Sequence, residues 1–168
     1  SAQAGPSAAP GHELYGFLPY WEMDDERIAE HVADTPLSTL ALFSVTHTAK
    51  GAINTEQRGY GLITGDVGRL LIREARERGT RVELVYTSFG GPRNRKLLES
   101  DELQATVIAS LVALAADLGV DGINVDIEAL DPTLVPAYGG FLPDLRAAVL
   151  VEDPGDTVSV ATGAHSLG

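Results

Sequence analysis

The chain has 168 residues, 44% of them apolar, which suits one folded globular domain. Its 24 acidic against 12 basic residues leave a net charge of -12, which argues against nucleic acid or an anionic membrane surface as a partner. There is no cysteine, so disulfides, thiolate metal sites and cysteine nucleophiles are excluded, although the compartment is not fixed by that.

Residues 1–12 begin small, uncharged and Pro-rich and read as a flexible linker. Such a stretch often follows a removed export signal, so a secreted or cell-envelope location is expected. No apolar run is expected to span a bilayer, so no membrane insertion is expected. Histidines at 12, 31, 47 and 165 show no metal-ligand spacing, and neither a metal nor another cofactor is expected.

Five apolar, β-rich runs read as strands: 13–21, 39–48, 81–88, 119–128 and 157–163. Helical patterns fall between them. Residues 24–33 open with acids, which suits the positive end of a helix dipole. Residues 66–78 put Val67, Leu70, Leu71 and Ala75 on one side, with Asp66 as N-cap and Gly79 just past the end. Residues 101–118 carry Leu103, Val107, Ile108, Leu111, Leu114 and Ala115 and stop at Gly119. Residues 134–151 are interrupted by Pro136, Gly139, Gly140 and Pro143, so a clear helix is expected only from Leu142. The polar, Gly-rich stretch 49–65 reads as a loop or small hairpin, and Arg93, Asn94, Arg95 and Lys96 as a solvated basic loop.

Strands alternating with helices imply a parallel sheet. Polar or unusual residues collect at the strands' C-terminal ends: Tyr20 and Trp21, His47, Ser88 to Gly91, Asp126 and Glu128, and His165. A lone histidine in such a place reads as a hydrogen-bonded structural group. No Gly-rich phosphate turn is present, so a (β/α)8 barrel is preferred over an open nucleotide-binding sheet. A full barrel takes about 250 residues; five strands amount to roughly its first half to five-eighths. The fold class is therefore α/β, a partial TIM-type barrel.

The fourth strand carries the chemistry. Ile123, Val125 and Ile127 point to one face, and Asn124, Asp126 and Glu128 to the other. Like charges so close cannot all ionise freely, so one carboxyl is pushed toward the protonated form. A protonated glutamate beside an ionised aspartate is equipment for cleaving a glycosidic bond. Asp121 faces the other way and reads as a structural brace.

These residues resemble glycoside hydrolase family 18, the chitinase-like barrels. Asp121, Asn124, Asp126 and Glu128 are similar to the family signature Asp-x-x-Asp-x-Asp-x-Glu. Ser88, Phe89, Gly90 and Gly91 match its Ser-x-Gly-Gly motif on the third strand, and residues 15–21 resemble the opening strand of bacterial members. Asn124 stands where an aspartate is commoner, a variant similar to that of bacterial spore-cortex and cell-wall N-acetylglucosaminidases.

The resemblance implies that residues 13–168 form the N-terminal part of such a barrel. It implies a hydrolase acting on N-acetylglucosamine-containing glycans, chitin or peptidoglycan. Glu128 would protonate the leaving oxygen, and the substrate's own acetamido oxygen would attack the anomeric carbon with retention. Asp126 would orient the acetamido group, with Asn124 hydrogen-bonded behind it. Tyr20 and Trp21 would offer an aromatic surface to sugar or pack the barrel, and Ser88, Gly90 and Gly91 read as structural first, their backbone approaching a neighbouring strand or the sugar. The alternatives are a non-catalytic glycan-binding module of the same ancestry and an inactive fragment of a longer hydrolase. A half-barrel exposes a sheet edge and an apolar face, so the missing half or a second copy is an expected partner.

Overall fold

The computed structural model describes residues 13–128, 132–153 and 155–160. The linker at 1–12, the last residues assigned to the fifth strand (161–163) and His165 lie outside these.

Five strands, β1 (Tyr15–Pro19), β2 (Thr39–Val45), β3 (Arg81–Ser88), β4 (Gly122–Ile127) and β5 (Thr157–Val160), form one sheet in chain order, every pair parallel. The helices α1 (Ile28–Ala33), α2 (Arg58–Thr64), α3 (Asp66–Glu77), α4 (Gly91–Leu98), α5 (Asp101–Leu118) and α6 (Val135–Glu152) intervene. This is the partial TIM-type barrel expected. The sheet curves far enough for Asn124 of β4 to reach both Tyr15 of β1 and Ser159 of β5, which defines its concave face.

The convex face is the core. Leu40, Leu42, Val82, Leu84, Tyr86, Ile123 and Val125 of the central strands pack with Leu71, Leu111, Phe141 and Leu145 of the helices, all buried. Each such side chain contributes on the order of 1.5–3 kcal/mol through the area it removes from water. Asp121 braces this layer as expected: its carboxylate accepts the Val82 N–H at 2.9 Å and pairs with Arg76 at 3.4 Å.

α5 has the expected bounds. Ser100 caps its start, its hydroxyl accepting the Leu103 N–H at 3.1 Å, and Gly119 ends it with φ 71°, a left-handed conformation that disfavours a side chain.

Other expectations are corrected. α1 is shorter than 24–33, because Asp25 takes the Arg27 N–H in a local turn. Gly65, not Asp66, is the N-cap of α3; Asp66 is its first helical residue. The stretch 49–65 opens with a small hairpin bridged at His47 and Ile53, but continues as α2, anchored by buried Ile63. The supposed basic loop is α4. α6 runs straight through Gly139, Gly140 and Pro143 because Phe141, Leu145 and Val149 bury against the core. The first strand ends at Pro19, and Tyr20 and Trp21 lie in a 3-10 turn.

The segment Pro132–Glu152 is also long and apolar enough, at mean hydropathy 1.3, to cross a bilayer, contrary to expectation. Its apolar positions Phe141, Leu145 and Val149 are spent on the core.

Candidate active site

Asn124, Asp126 and Glu128 occupy alternate positions at the C-terminal end of β4. Asn124 and Asp126 are buried and Glu128, one residue past the strand, is partly exposed. The contacts of Asn124 with β1 and β5 fix its side as the concave one, and the period of two carries Asp126 and Glu128 to that same face.

Beneath them lies a partly buried polar floor drawn from four strands, with Glu83 and Asn124 its buried members. The Tyr15 hydroxyl donates to Glu83, which is 3% exposed. The Ser159 hydroxyl donates to both Glu83 oxygens at 3.2 and 3.1 Å. Asn124 donates one N–H to Tyr15 at 3.0 Å and the other to Ser159 at 2.7 Å. An amide has only two N–H groups, so Asn124 has none left for Asp126. The expected Asn124–Asp126 hydrogen bond is therefore replaced by a tether to the floor, and Asn124 Oδ1, buried, accepts no hydrogen bond among the described residues. Burial first, and then the hydrogen bond and charge of Glu83, hold the Tyr15 phenol well above its ordinary range, so Tyr15 stays a donor. Gly122 leaves room for this floor, because a Cβ there would meet the Thr157 carbonyl at 2.6 Å and Glu83 Oε2 at 3.3 Å.

α4 holds the acid's backbone. The Glu128 N–H continues the ladder to the Ser88 carbonyl at 3.0 Å. Fully buried Asn94 donates to the Glu128 carbonyl and accepts the Ser88 hydroxyl at 2.5 Å. Ser88 is itself fully buried. Of the roles expected for Ser88 the structure shows the structural one, its hydroxyl engaged by Asn94. Gly90, with φ 98°, turns the chain from β3 into α4, and open space lies where a Cβ would stand on Gly90 and Gly91.

Beside this file opens a cleft of about 500 Å³. Its walls are Tyr20, Trp21, Phe43 and Phe89, and its polar lining includes Thr46, Gln57, Thr87 and Arg93. Trp21 is 54% exposed and meets Tyr20 and Phe43 edge to face, at 5.2 and 6.1 Å between ring centres. Thr87 is the register partner of Asp126, so cleft and carboxylate file adjoin. Tyr138 of α6 also feels this site: burial, and then the charge of Asp126, hold its phenol above the ordinary range.

His47 is structural, as expected. It is 2% exposed, and its Nδ1 lies 2.7 Å from the Tyr86 hydroxyl. Burial, helped by Arg93, lowers its pKa to about 4. Burial also holds the Tyr86 hydroxyl protonated.

Asn124 and Asp126 thus lie on the concave face, where Asp126 adjoins through Thr87 the cleft that Tyr20 and Trp21 line, and Glu128 follows one residue past the strand. The sequence reading missed Tyr15, Glu83 and Ser159, whose only signal was a lone acid within an apolar strand. It also missed Asn94 and Arg93, hidden in a short polar run, and Phe89 inside the Ser-x-Gly-Gly motif.

The fold is that of part of a TIM-type barrel, and it is shared by solved chitinases and a cortex-lytic enzyme. Among solved structures, the chain superposes on the spore cortex-lytic enzyme SleL of Bacillus cereus with TM-score 0.72 at 20% identity, covering 88% of this chain and 34% of that one. It superposes on a chitinase of Bacteroides thetaiotaomicron with TM-score 0.68 at 14% identity, covering 89% and 46%. A class V chitinase of Pseudomonas fluorescens Pf-5 gives 0.71 at 18% identity, covering 88% and 44%. The chain therefore spans between a third and a half of these neighbours' lengths, and at such identities the likeness is one of fold. No family model matches the sequence, and no curated protein matches it.

Proposed function

We propose that residues 13–168 are the N-terminal part of a family 18-like glycoside hydrolase, acting outside the cytoplasm or in the cell envelope on N-acetylglucosamine-containing glycans. The observation that carries this reading is the adjacency of the Asn124–Asp126–Glu128 file to an aromatic cleft at the mouth of a barrel whose solved likenesses are chitinases and a cortex-lytic enzyme.

In this reading Glu128 gives its proton to the glycosidic oxygen as the bond breaks. The carbonyl oxygen of the substrate's own acetamido group attacks the anomeric carbon, forming a cationic oxazolinium, and Asp126 stabilises that charge. Water, losing a proton to Glu128, then attacks the anomeric carbon from the face the leaving group vacated and displaces the acetamido oxygen, so the configuration is retained. The tethered nucleophile has an effective concentration on the order of 10⁵ M or more. Trp21 and Tyr20 take the apolar face of a sugar, and the Gly90–Gly91 backbone approaches it.

The test is hydrolysis of N-acetylglucosamine oligomers and of cell-wall glycan by the wild type and Glu128→Gln. Loss of a general acid costs on the order of 10²–10⁴ in rate, with melting unchanged. Wild-type turnover in Glu128→Gln overturns the assignment, and binding without turnover in the wild type makes the chain a glycan-binding module.

A further inference from the structure

Arg93 is a half-buried cation with no acid beside it. Five of the chain's arginines pair with carboxylates, but among the described residues none lies within ion-pair distance of Arg93. The other unpaired cations differ. Lys50, Arg73, Arg78, Lys96 and Arg146 are exposed, and Arg81 is engaged by the Asp121 carbonyl and the Thr157 hydroxyl. In a chain with twice as many acids as bases, an unpartnered guanidinium in a cleft stands out. Burying a charge is costly unless a counter-charge meets it.

The side chain is also fixed. Arg93 Nη2 donates to Thr46 Oγ1 at 3.1 Å and to the His47 carbonyl. Among the described residues its Nε and Nη1 hydrogens have no acceptor. Arg93 is among the residues lining the cleft walled by Tyr20, Trp21, Phe43 and Phe89. Gln57 lines the same cleft, and among the described residues its buried Oε1 accepts no hydrogen bond. The cleft therefore offers apolar rings, a fixed cation and a free amide oxygen.

Resting on the hydrolase reading above, we propose that this cleft is a subsite for an N-acetylated sugar bearing a carboxylate, such as the 3-O-lactyl ether of N-acetylmuramic acid. The rings take the apolar sugar face, Arg93 takes the carboxylate, and Gln57 Oε1 accepts a hydroxyl or amide hydrogen. Arg93 thereby selects an acidic cell-wall glycan over neutral chitin. The net charge does not forbid this, since at physiological salt charges beyond about 8 Å are largely screened.

The experiment is isothermal titration in a Glu128→Gln background, so that nothing is cleaved. Three probes are used: the disaccharide of N-acetylglucosamine and N-acetylmuramic acid, the same disaccharide with its carboxyl converted to a methylamide, and the neutral N-acetylglucosamine dimer. Arg93 and Arg93→Lys are expected to prefer the acid over the amide by on the order of tenfold. Arg93→Gln is expected to bind acid and amide alike while keeping its affinity for the neutral dimer, and a thermal melt confirms that it is folded. No preference in the parent, no binding of any probe, or an equal loss for all three probes in Arg93→Gln overturns the proposal. Turnover of the neutral oligomer by the otherwise wild-type chain is read separately, so failure of the hydrolase reading is distinguishable.

Discussion

Glu83 and Leu84 are neighbours on β3 and live in opposite worlds. Leu84 enters the apolar layer between sheet and helices, where almost every side chain is a hydrocarbon. Glu83, turned the other way, is just as thoroughly removed from water but ends in a hydroxyl and amide network that spans four strands. The same alternation divides Ile123 from Asn124 and Val125 from Asp126. The convex face holds the sheet to its helices. The concave face holds polar groups in fixed orientations through hydrogen bonds across four strands.

The division can be broken from either side. Leu84→Ala should have the largest effect on stability, about 2–5 kcal/mol, because it removes methyl groups from a packed layer that relaxes only partly. Denaturant titration reads that loss, and on the proposed hydrolase reading whatever stays folded should match the parent's glycan turnover. Glu83→Leu should cost less, about 1–3 kcal/mol, by leaving the Tyr15 and Ser159 hydroxyls without their acceptor. It should also slacken Asn124, so that turnover falls beyond what the folded fraction explains. Equal turnover per folded molecule in the two variants would erase the distinction.

The smallest effect belongs to pH and probes His47. Its ring titrates near 4 in the folded chain against an ordinary 6.5. The unfolded chain therefore binds the extra proton between those values. Stability from the neutral ring is fully present above about pH 6.5 and is lost as pH falls toward 4. The expected loss is about 1–2 kcal/mol, less than the whole shift implies because a protonated ring can turn toward water. His47→Gln should flatten melting temperature across this window, and an unchanged slope would refute the assignment.

How much of this was legible in the sequence follows from distance along the chain. The β/α alternation, the bounds of α5 and the stops at Gly79 and Gly119 depend on periodicity and local backbone preference, which a window of residues contains. α2 and α4 do not. Their residues, 58–64 and 91–98, hold glycines or a Gly-Pro start and few apolar positions, and burial of Ile63, Leu97 and Leu98 makes them helical. The alternation of β4 put Asn124, Asp126 and Glu128 on one face. That Asn124 serves Tyr15, 109 residues away, needed the curved sheet.

The bridge that Asn94 makes from the Ser88 hydroxyl to the Glu128 carbonyl turns the short link between β3 and α4 into a ruler. The amide meets both marks at the present spacing, so an insertion in this loop is expected to cost more than one in an ordinary surface connection. One added residue would swing the amide aside and unmoor the strand end on which the acid stands, while every residue of the carboxylate file remained in place in the sequence.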